Sequence, residues 1–453
     1  MKNIIKYTYK KVILINIFLI IYSCNGFCQT GIKTIIEIPS SFNPVGSGAR
    51  AIGMGGAFIG VADDATAASW NPGGLTQLLL PEISFVSTYT NRKESLKIVK
   101  HPEASNVFRI SDTDITFFSA TYPFFIAKRN MVLSLTYQRL YEMNRKWKQK
   151  YLETIEDIYL YDFNKEYLQI GSLSALGISY CIEIVPDFSL GMTLNIWDDD
   201  ISNSHWTQSY NNVILTKTLN NISILKVHKN EEYFFKGINY NFGLLWNINK
   251  KITLGSVLKT SFWADIEHKI HRNDEYLYPL NPENNERNIK TDIKNEKFRM
   301  PLSFGIGLVY RFSDSFYISG DFYKTNWNKL SHINQSGYES NPISEKSTND
   351  SRMDATNQIR IGAEYLILNK YKRKAIALRG GLFYDPAPSV GNPDEYYGFS
   401  LGFGYTLNGL FSFDTAYQFR FGSNVGQEVL EEFKHSQDIR EHKIYFSIIL
   451  YLL

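Results

Sequence analysis

Cysteine is scarce in this chain of 453 residues: there are three, and two of them, Cys24 and Cys28, fall within the first 28 positions. If that segment is removed, only Cys181 remains, which excludes an internal disulfide framework. Beyond Tyr22 there is no apolar run of the ~18 residues that a membrane-spanning helix requires. Net charge is also nearly absent, at +3 from 48 Lys and Arg against 45 Asp and Glu, so nothing points to nucleic acid or to a polybasic membrane anchor. No GxSxG, HExxH or P-loop pattern occurs, and no catalytic role or cofactor is expected. What the chain does have is aromatics, 15% of residues, without hydrophobic excess, since mean hydropathy is −0.24. That pairing fits a β-barrel with an apolar outer wall, a polar lumen and interfacial aromatic girdles.

The first residues read as an export signal. Lys2, Lys6, Lys10 and Lys11 form a basic start, and Val12 to Tyr22 is an apolar core too short to cross a bilayer as a helix. Cleavage after Cys28 leaves Gln29 as the new N-terminus. A lipoprotein signal ending at Cys24 is the competing reading, disfavoured by the bulk of Tyr22. The expected division is therefore 1–28 signal peptide, 29–81 N-terminal segment and luminal hatch, and 82–453 barrel. Between Thr30 and Val45 only Ile32 to Ile38 suggests a brief strand.

Gly46 to Leu80 differs in texture from the rest: rich in Gly and Ala, with almost no charge beyond Arg50, Asp63 and Asp64. Small residues suit backbone that packs closely inside other protein, so this stretch reads as a plug. Its start, Gly46-Ser47-Gly48-Ala49-Arg50-Ala51, fits GxGxxA, but Pro44 precedes it and no βαβ unit surrounds it, so a dinucleotide site is not expected. From Ala49 to Leu75 the stretch, with its Asn71-Pro72-Gly73 element, resembles the N-terminal hatch of the FadL/OmpP1/TodX outer-membrane transporters for long-chain fatty acids and aromatic hydrocarbons, whose hatch holds an Asn-Pro-Ala element. Gly73 is a mild departure toward a smaller residue.

From Glu82 onward, fourteen alternating segments follow, the first near residues 82–90 and the last near 440–453. Their connections alternate strictly, with 91–112 long, 124–129 short, 144–165 long and so on, giving seven long and six short. Outer-membrane barrels have this asymmetry, with short periplasmic turns, long extracellular loops and an even strand number. The expected fold class is therefore all-β, a transmembrane antiparallel barrel of about 14 strands in the bacterial outer membrane. Period-two parity agrees: Phe411, Phe413, Thr415, Tyr417, Phe419 and Phe421 share one face, with Ser412, Asp414, Ala416, Gln418 and Arg420 on the other. Phe298 to Trp327, Arg360 to Ile367, Ala377 to Pro388 and Phe413 to Gly422 are similar to the C-terminal strands of the same family. One departure is the terminal Leu453, where such barrels usually end in an aromatic.

Several constellations invite a chemical reading. On inward parity lie Asp321, Arg360, Glu364, Arg379, Asp414 and Arg420, expected to pair among themselves or with the plug charges, since unpaired charge in a confined lumen is costly. The alternative leaves one arginine free for a ligand carboxylate, and Arg360 and Arg379 are the candidates. Trp197, Trp263 and Trp327, at the outer strand ends, read either as an apolar ligand-collecting mouth or as a girdle. His268, His271 and Glu275 suggest a metal only weakly; solvated loop histidines are commoner, and no metal site is expected. Asp198, Asp199 and Asp200 read as a loop base able to share divalent cations with lipopolysaccharide. Cys181 reads as a packed side chain.

The resemblance implies passive uptake of hydrophobic compounds with sideways release through the wall, the expected partners being outer-membrane lipid, lipopolysaccharide and a hydrophobic small molecule, with the protein monomeric. GARAIGMGG followed by WNP also resembles barrels of the same superfamily that serve protein secretion, which keeps a second reading open: a barrel docking exported cargo, with secretion machinery as partner.

Overall fold

The computed structural model describes residues 46–155, 159–219, 221–344, 346–369, 374–407, 410–427 and 435–452. The expected signal peptide and the brief strand at 32–38 lie outside them. Among the described residues the alternating pattern produces twenty antiparallel strands. They are β1 (Glu82–Ile98), β2 (Asn106–Ile126), β3 (Arg129–Glu142), β4 (Arg145–Ile155), β5 (Tyr159–Val185), β6 (Phe188–Trp197), β7 (His205–Lys217), β8 (Ile222–Asn247), β9 (Ile252–Lys259) and β10 (Phe262–Leu277). They continue with β11 (Glu286–Met300), β12 (Ser303–Ser313), β13 (Phe316–Thr325), β14 (Ser331–Ile333), β15 (Glu339–Ser340), β16 (Thr356–Asn369), β17 (Lys374–Tyr384), β18 (Tyr397–Leu407), β19 (Phe411–Val425) and β20 (His435–Tyr451).

Fourteen of these close a barrel, in the order β1, β2, β3, β5, β6, β8, β9, β12, β13, β16, β17, β18, β19, β20, with β20 returning to β1 from Glu82↔Tyr451 to Ile98↔His435. Closure removes the free edges that an open sheet of this size would expose. The fourteen expected segments correspond one to one with these strands. Their outward faces carry Leu133, Leu135, Ile178, Ile306, Ile361 and Leu401, all exposed, which forms the apolar band a bilayer requires. Inward positions such as Ser400, Ser412, Asp414 and Ala416 are buried.

The long connections are the point of difference. They were expected as loops, yet much of their length is sheet. The β1–β2 pairing runs on to Leu96↔Asn106, while β4, β7, β10 and β11 stand above β3, β6, β9 and β12. The physical reason is that these connections keep the period-two alternation, so they bury an inner face of their own. One such cluster holds Tyr151, stacked on Phe163 at 4.7 Å between centroids, together with Leu96, Ile98 and Ile214.

Within the lumen lies the plug. Helix α1 (Ala49–Gly53) and helix α2 (Ala67–Trp70) are followed by a tight helical turn over Pro72–Gln77. Small residues make both the helices and their docking possible, because the inner wall answers with glycines of its own.

Candidate functional site

Asn71 is the keystone of the plug. Its Nδ2 donates to the Ile59 carbonyl at 2.8 Å and to the Leu244 carbonyl of β8 at 2.9 Å, while its Oδ1 accepts from Gly73 N at 3.0 Å. Pro72 starts the tight turn, where a missing N–H costs nothing. Gly73 N and O then lie against β5 and β6: its carbonyl accepts from Ser189 Oγ at 2.6 Å and from Cys181 Sγ at 3.4 Å. A β-carbon on Gly191 or Gly243 of the wall would overlap the Pro72 carbonyl or Asn71 Oδ1, so the close approach depends on glycine at those wall positions.

The luminal charges tie plug to wall. Arg50 reaches Asp63 at 2.8 Å and Glu364 at 3.1 Å, and Arg379 bridges Glu364 and Asp414. Arg379 is therefore held by two carboxylates. Asp321 behaves differently from the expected ion pair: its Oδ2 accepts the backbone N–H groups of Phe58 and Ile59 at 2.7 and 2.8 Å. Sequence parity puts its side chain inside, but only folding brings two orphan donors of the plug to it. Arg420 pairs with Asp385 at 3.0 Å. Arg360 donates from Nη2 to Gln358 at 3.0 Å, lies 3.7 Å from Asp385 and sits over the Trp70 ring, yet its Nε is buried without a hydrogen-bond partner.

Between the plug and the outer end is a cavity of about 130 Å³, with Trp70, Ile52 and Arg360 on the plug side and Thr116, Arg139 and Leu140 on the outer side. Four cationic and four anionic side chains line it. Three opposite pairs satisfy one another: Arg139 with Asp114, Arg420 with Asp385, and Lys443 with Glu441 at 3.4 Å.

The wall beside this cavity is interrupted. The β2–β3 ladder ends at Phe117↔Gln138, although both strands continue. At that level each strand carries a bulge, marked by the register shift opposite Val86/Ser87 that leaves Thr116 unmatched and by the shift at Arg139/Tyr141 that leaves Leu140 unmatched. Bulges re-aim side chains and end pairing. Beyond them, among the described residues, side chains cross the seam, Arg139 to Asp112 and Asp114, and Asn144 to Asp112.

Above the cavity sits an apolar cap filled by the chain's own rings. Trp197, Trp206, Tyr233, Phe235, Phe298 and Trp327 are all buried in it, and Leu140 and Tyr141 pack against its underside. Trp197 donates through Nε1 to Asn239 Oδ1 at 2.8 Å. Trp263 does not join: it is 43% exposed on the outer surface with Arg299 over its ring at 5.8 Å. The expected inward parity fails there because Thr260 and Ser261 separate β9 from β10. His268 faces inward, bonded to Glu231 at 3.0 Å and within 3.3 Å of Glu296, whereas His271 is on the outward face and meets Thr291. Three residues apart on a strand, the two histidines point to opposite sides, so the metal trio does not assemble, and among the described residues no group of three His, Cys, Asp or Glu could hold a metal. Asp198 caps the short turn at Asp199–Ser202, and Lys236 neutralises it at 3.3 Å.

Arg139, Glu142, Asp385, Glu441 and Lys443 went unnoticed in the sequence. Arg139 and Glu142 sit at opposite parities around Leu140, so only the bulge brings both to one cavity.

A family model for outer membrane transport proteins (OMPP1/FadL/TodX) matches residues 45–440. No curated protein matches the chain by sequence. Among solved structures, a Pseudomonas aeruginosa FadL homologue is similar over 90% of this chain and 99% of its own, at 13% identity and a TM-score of 0.56. The P. putida toluene transporter TodX is similar over 90% and 99%, at 12% identity and 0.61. CymD, a monoaromatic hydrocarbon channel, covers 91% and 99%, at 16% identity and 0.54. At such identities these structures share the fold, and the family rests on the match across most of the chain. With its closed fourteen-stranded wall and docked plug, this chain belongs to the OMPP1/FadL/TodX family of outer membrane transport proteins.

Proposed function

We propose that the protein takes up hydrophobic compounds passively and releases them sideways into the membrane through the seam between β2 and β3. The observation that carries this reading is the coincidence of cavity and seam: Thr116 and Leu140, the two bulge residues, both line the cavity. The plug closes the path straight down, so a solute that reaches the cavity has its shortest way out through the wall. An apolar solute gains ~0.8 kcal/mol per CH₂ on moving from water to lipid, which drives uptake with no coupled energy source. Long-chain fatty acids and aromatic hydrocarbons are the expected solutes. Trp197 and Trp327 form part of the cap that an entering solute must part, and of the two candidate arginines Arg360 keeps a buried Nε–H for a polar head. The protein works as a monomer surrounded by membrane lipid and lipopolysaccharide.

The test is to delete Thr116, which restores regular β1–β2 pairing, and to follow entry of labelled toluene and hexadecanoate into liposomes carrying the purified barrel. Uptake is expected to fall steeply while permeability to small sugars stays unchanged; undiminished uptake rules out the seam as the exit.

One observation favours a second reading, docking of exported protein cargo. The sheet rises well past the barrel, and β11 has β10 on one side but on the other only Ser331–Ile333 among the described residues, which leaves a β edge open to an added strand. Cross-linking in the native membrane separates the two: recovered secretion proteins favour docking, copurified lipid favours transport.

A further inference from the structure

We propose that the cavity is a recognition site for the zwitterionic head of an amphiphile, its ammonium on Glu142 and its acceptor oxygen on Arg360; this rests on the transport reading above and names the substrate class. Outside the three internal ion pairs the charged lining holds Glu142 and Arg360, and although Arg360 reaches Gln358 and lies 3.7 Å from Asp385 through Nη2, each of the two keeps one buried polar atom unmatched. Glu142 Oε1 is buried without a hydrogen-bond partner among the described residues. Arg360, also on the lining and more than nine-tenths buried, has its Nε–H in the same condition. A buried polar group left unsatisfied is costly, so a head that brings a donor to one and an acceptor to the other is favoured twice. A head of single charge satisfies one and leaves the other. A hydrocarbon satisfies neither.

Size and surroundings agree. The cavity's 130 Å³ is roughly ten times what one water needs, and it accommodates a head group but not a long tail. The tail has an apolar neighbour, because Leu140 belongs both to the cavity lining and to the underside of the aromatic cap. It also has an exit, since the same residue borders the seam.

The experiment compares three amphiphiles of one chain length, hexadecanoate, hexadecylamine and α-aminohexadecanoate, by calorimetric titration of the purified full-length protein in mild detergent. The zwitterion is expected to bind at least about tenfold tighter than either singly charged probe. Glu142→Gln is expected to bring it level with hexadecanoate, and Arg360→Gln to bring it level with hexadecylamine. Glu142→Asp, which keeps the charge, retains most of the preference, and heat-dependent gel mobility verifies that every variant is folded. Equal affinity for the three probes in the unmodified protein overturns the proposal, as does a preference untouched by Glu142→Gln, which would mean the cavity holds only water. Toluene entry into liposomes is measured alongside. If toluene enters while the probes bind alike, the zwitterion site alone is wrong; if toluene does not enter, the transport reading fails first.

Discussion

The two ends of the lumen are closed by opposite means. At the plug, directed hydrogen bonds make the joint: Asn71 Nδ2 donates to the Leu244 carbonyl at 2.9 Å, the Gly73 carbonyl accepts from Ser189 Oγ at 2.6 Å, Asp321 accepts from the Phe58 and Ile59 N–H groups at 2.7 and 2.8 Å, and glycines on both sides allow the approach. At the outer end, side chain meets side chain: Trp206 stacks on Tyr233 at 4.6 Å, Tyr233 on His268 at 4.0 Å, and Phe235 meets both Trp197 and Phe262 edge to face. A hydrogen-bonded joint is specific and all-or-none, while an aromatic cap is non-directional and able to repack around a guest. The difference teaches which closure is a wall and which is a door.

That contrast is broken most forcefully at the cap. Phe235→Ala removes a fully buried ring and is expected to cost about 3–5 kcal/mol of stability, read by denaturant unfolding of the barrel in liposomes, with no rise in sugar permeability. Gly243→Leu attacks the plug instead. Its side chain overlaps Asn71, and about 3 kcal/mol of overpacking strain should undock the plug and admit small sugars, with the cap intact. If Gly243→Leu leaves sugars excluded, the plug does not seal the lumen. Removing Gly46 to Leu80 outright should give the same leak.

A smaller effect is expected from Asp321→Asn, which keeps the shape but weakens two charge-assisted hydrogen bonds to Phe58 and Ile59. A loss of about 2 kcal/mol in plug docking should appear as faster hydrogen exchange at those two amides, and unchanged exchange would remove Asp321 from the joint. The smallest effect sharpens the comparison through pH. Burial alone would lower the His268 pKa, but hydrogen bonds to Glu231 and Glu296 outweigh it and raise the value above 6.5; burial alone would raise Glu296, but bonds from His268 and His332 bring it down to about 2. The raised histidine stabilises the cap fully below pH 6.5 and loses that contribution as pH climbs through its folded value. The lowered glutamate contributes fully above pH 4.5 and loses it as pH falls toward about 2. The cap should thus be firmest between those limits and loosen on the alkaline side, and His268→Gln should abolish the alkaline loosening.

Much of this molecule was legible before folding. The alternation of Phe411, Phe413 and Thr415 against Ser412 and Asp414 fixes which side faces lipid, because a strand turns each successive side chain through half a circle. The small residues of Gly46 to Leu80 mark a plug, and Asn71-Pro72-Gly73 reads as its hatch element through resemblance to the family's Asn-Pro-Ala. The ordered outer sheet was in the same alternation but was masked by its polarity, since Lys146, Lys148 and Lys150 made β4 look like loop until Trp147 and Tyr151 were seen on its inner face.

The sequence by itself determined the barrel, its strand number and its two faces, all of which follow from local periodicity and the lengths of connections. Tertiary structure alone decided where the wall opens, which way Trp263 turns, and that Glu142 and Arg360 share a cavity. Those facts depend on one unmatched residue in β2 and another in β3, and a bulge is set by how distant strands register against each other, which no stretch of chain specifies by itself.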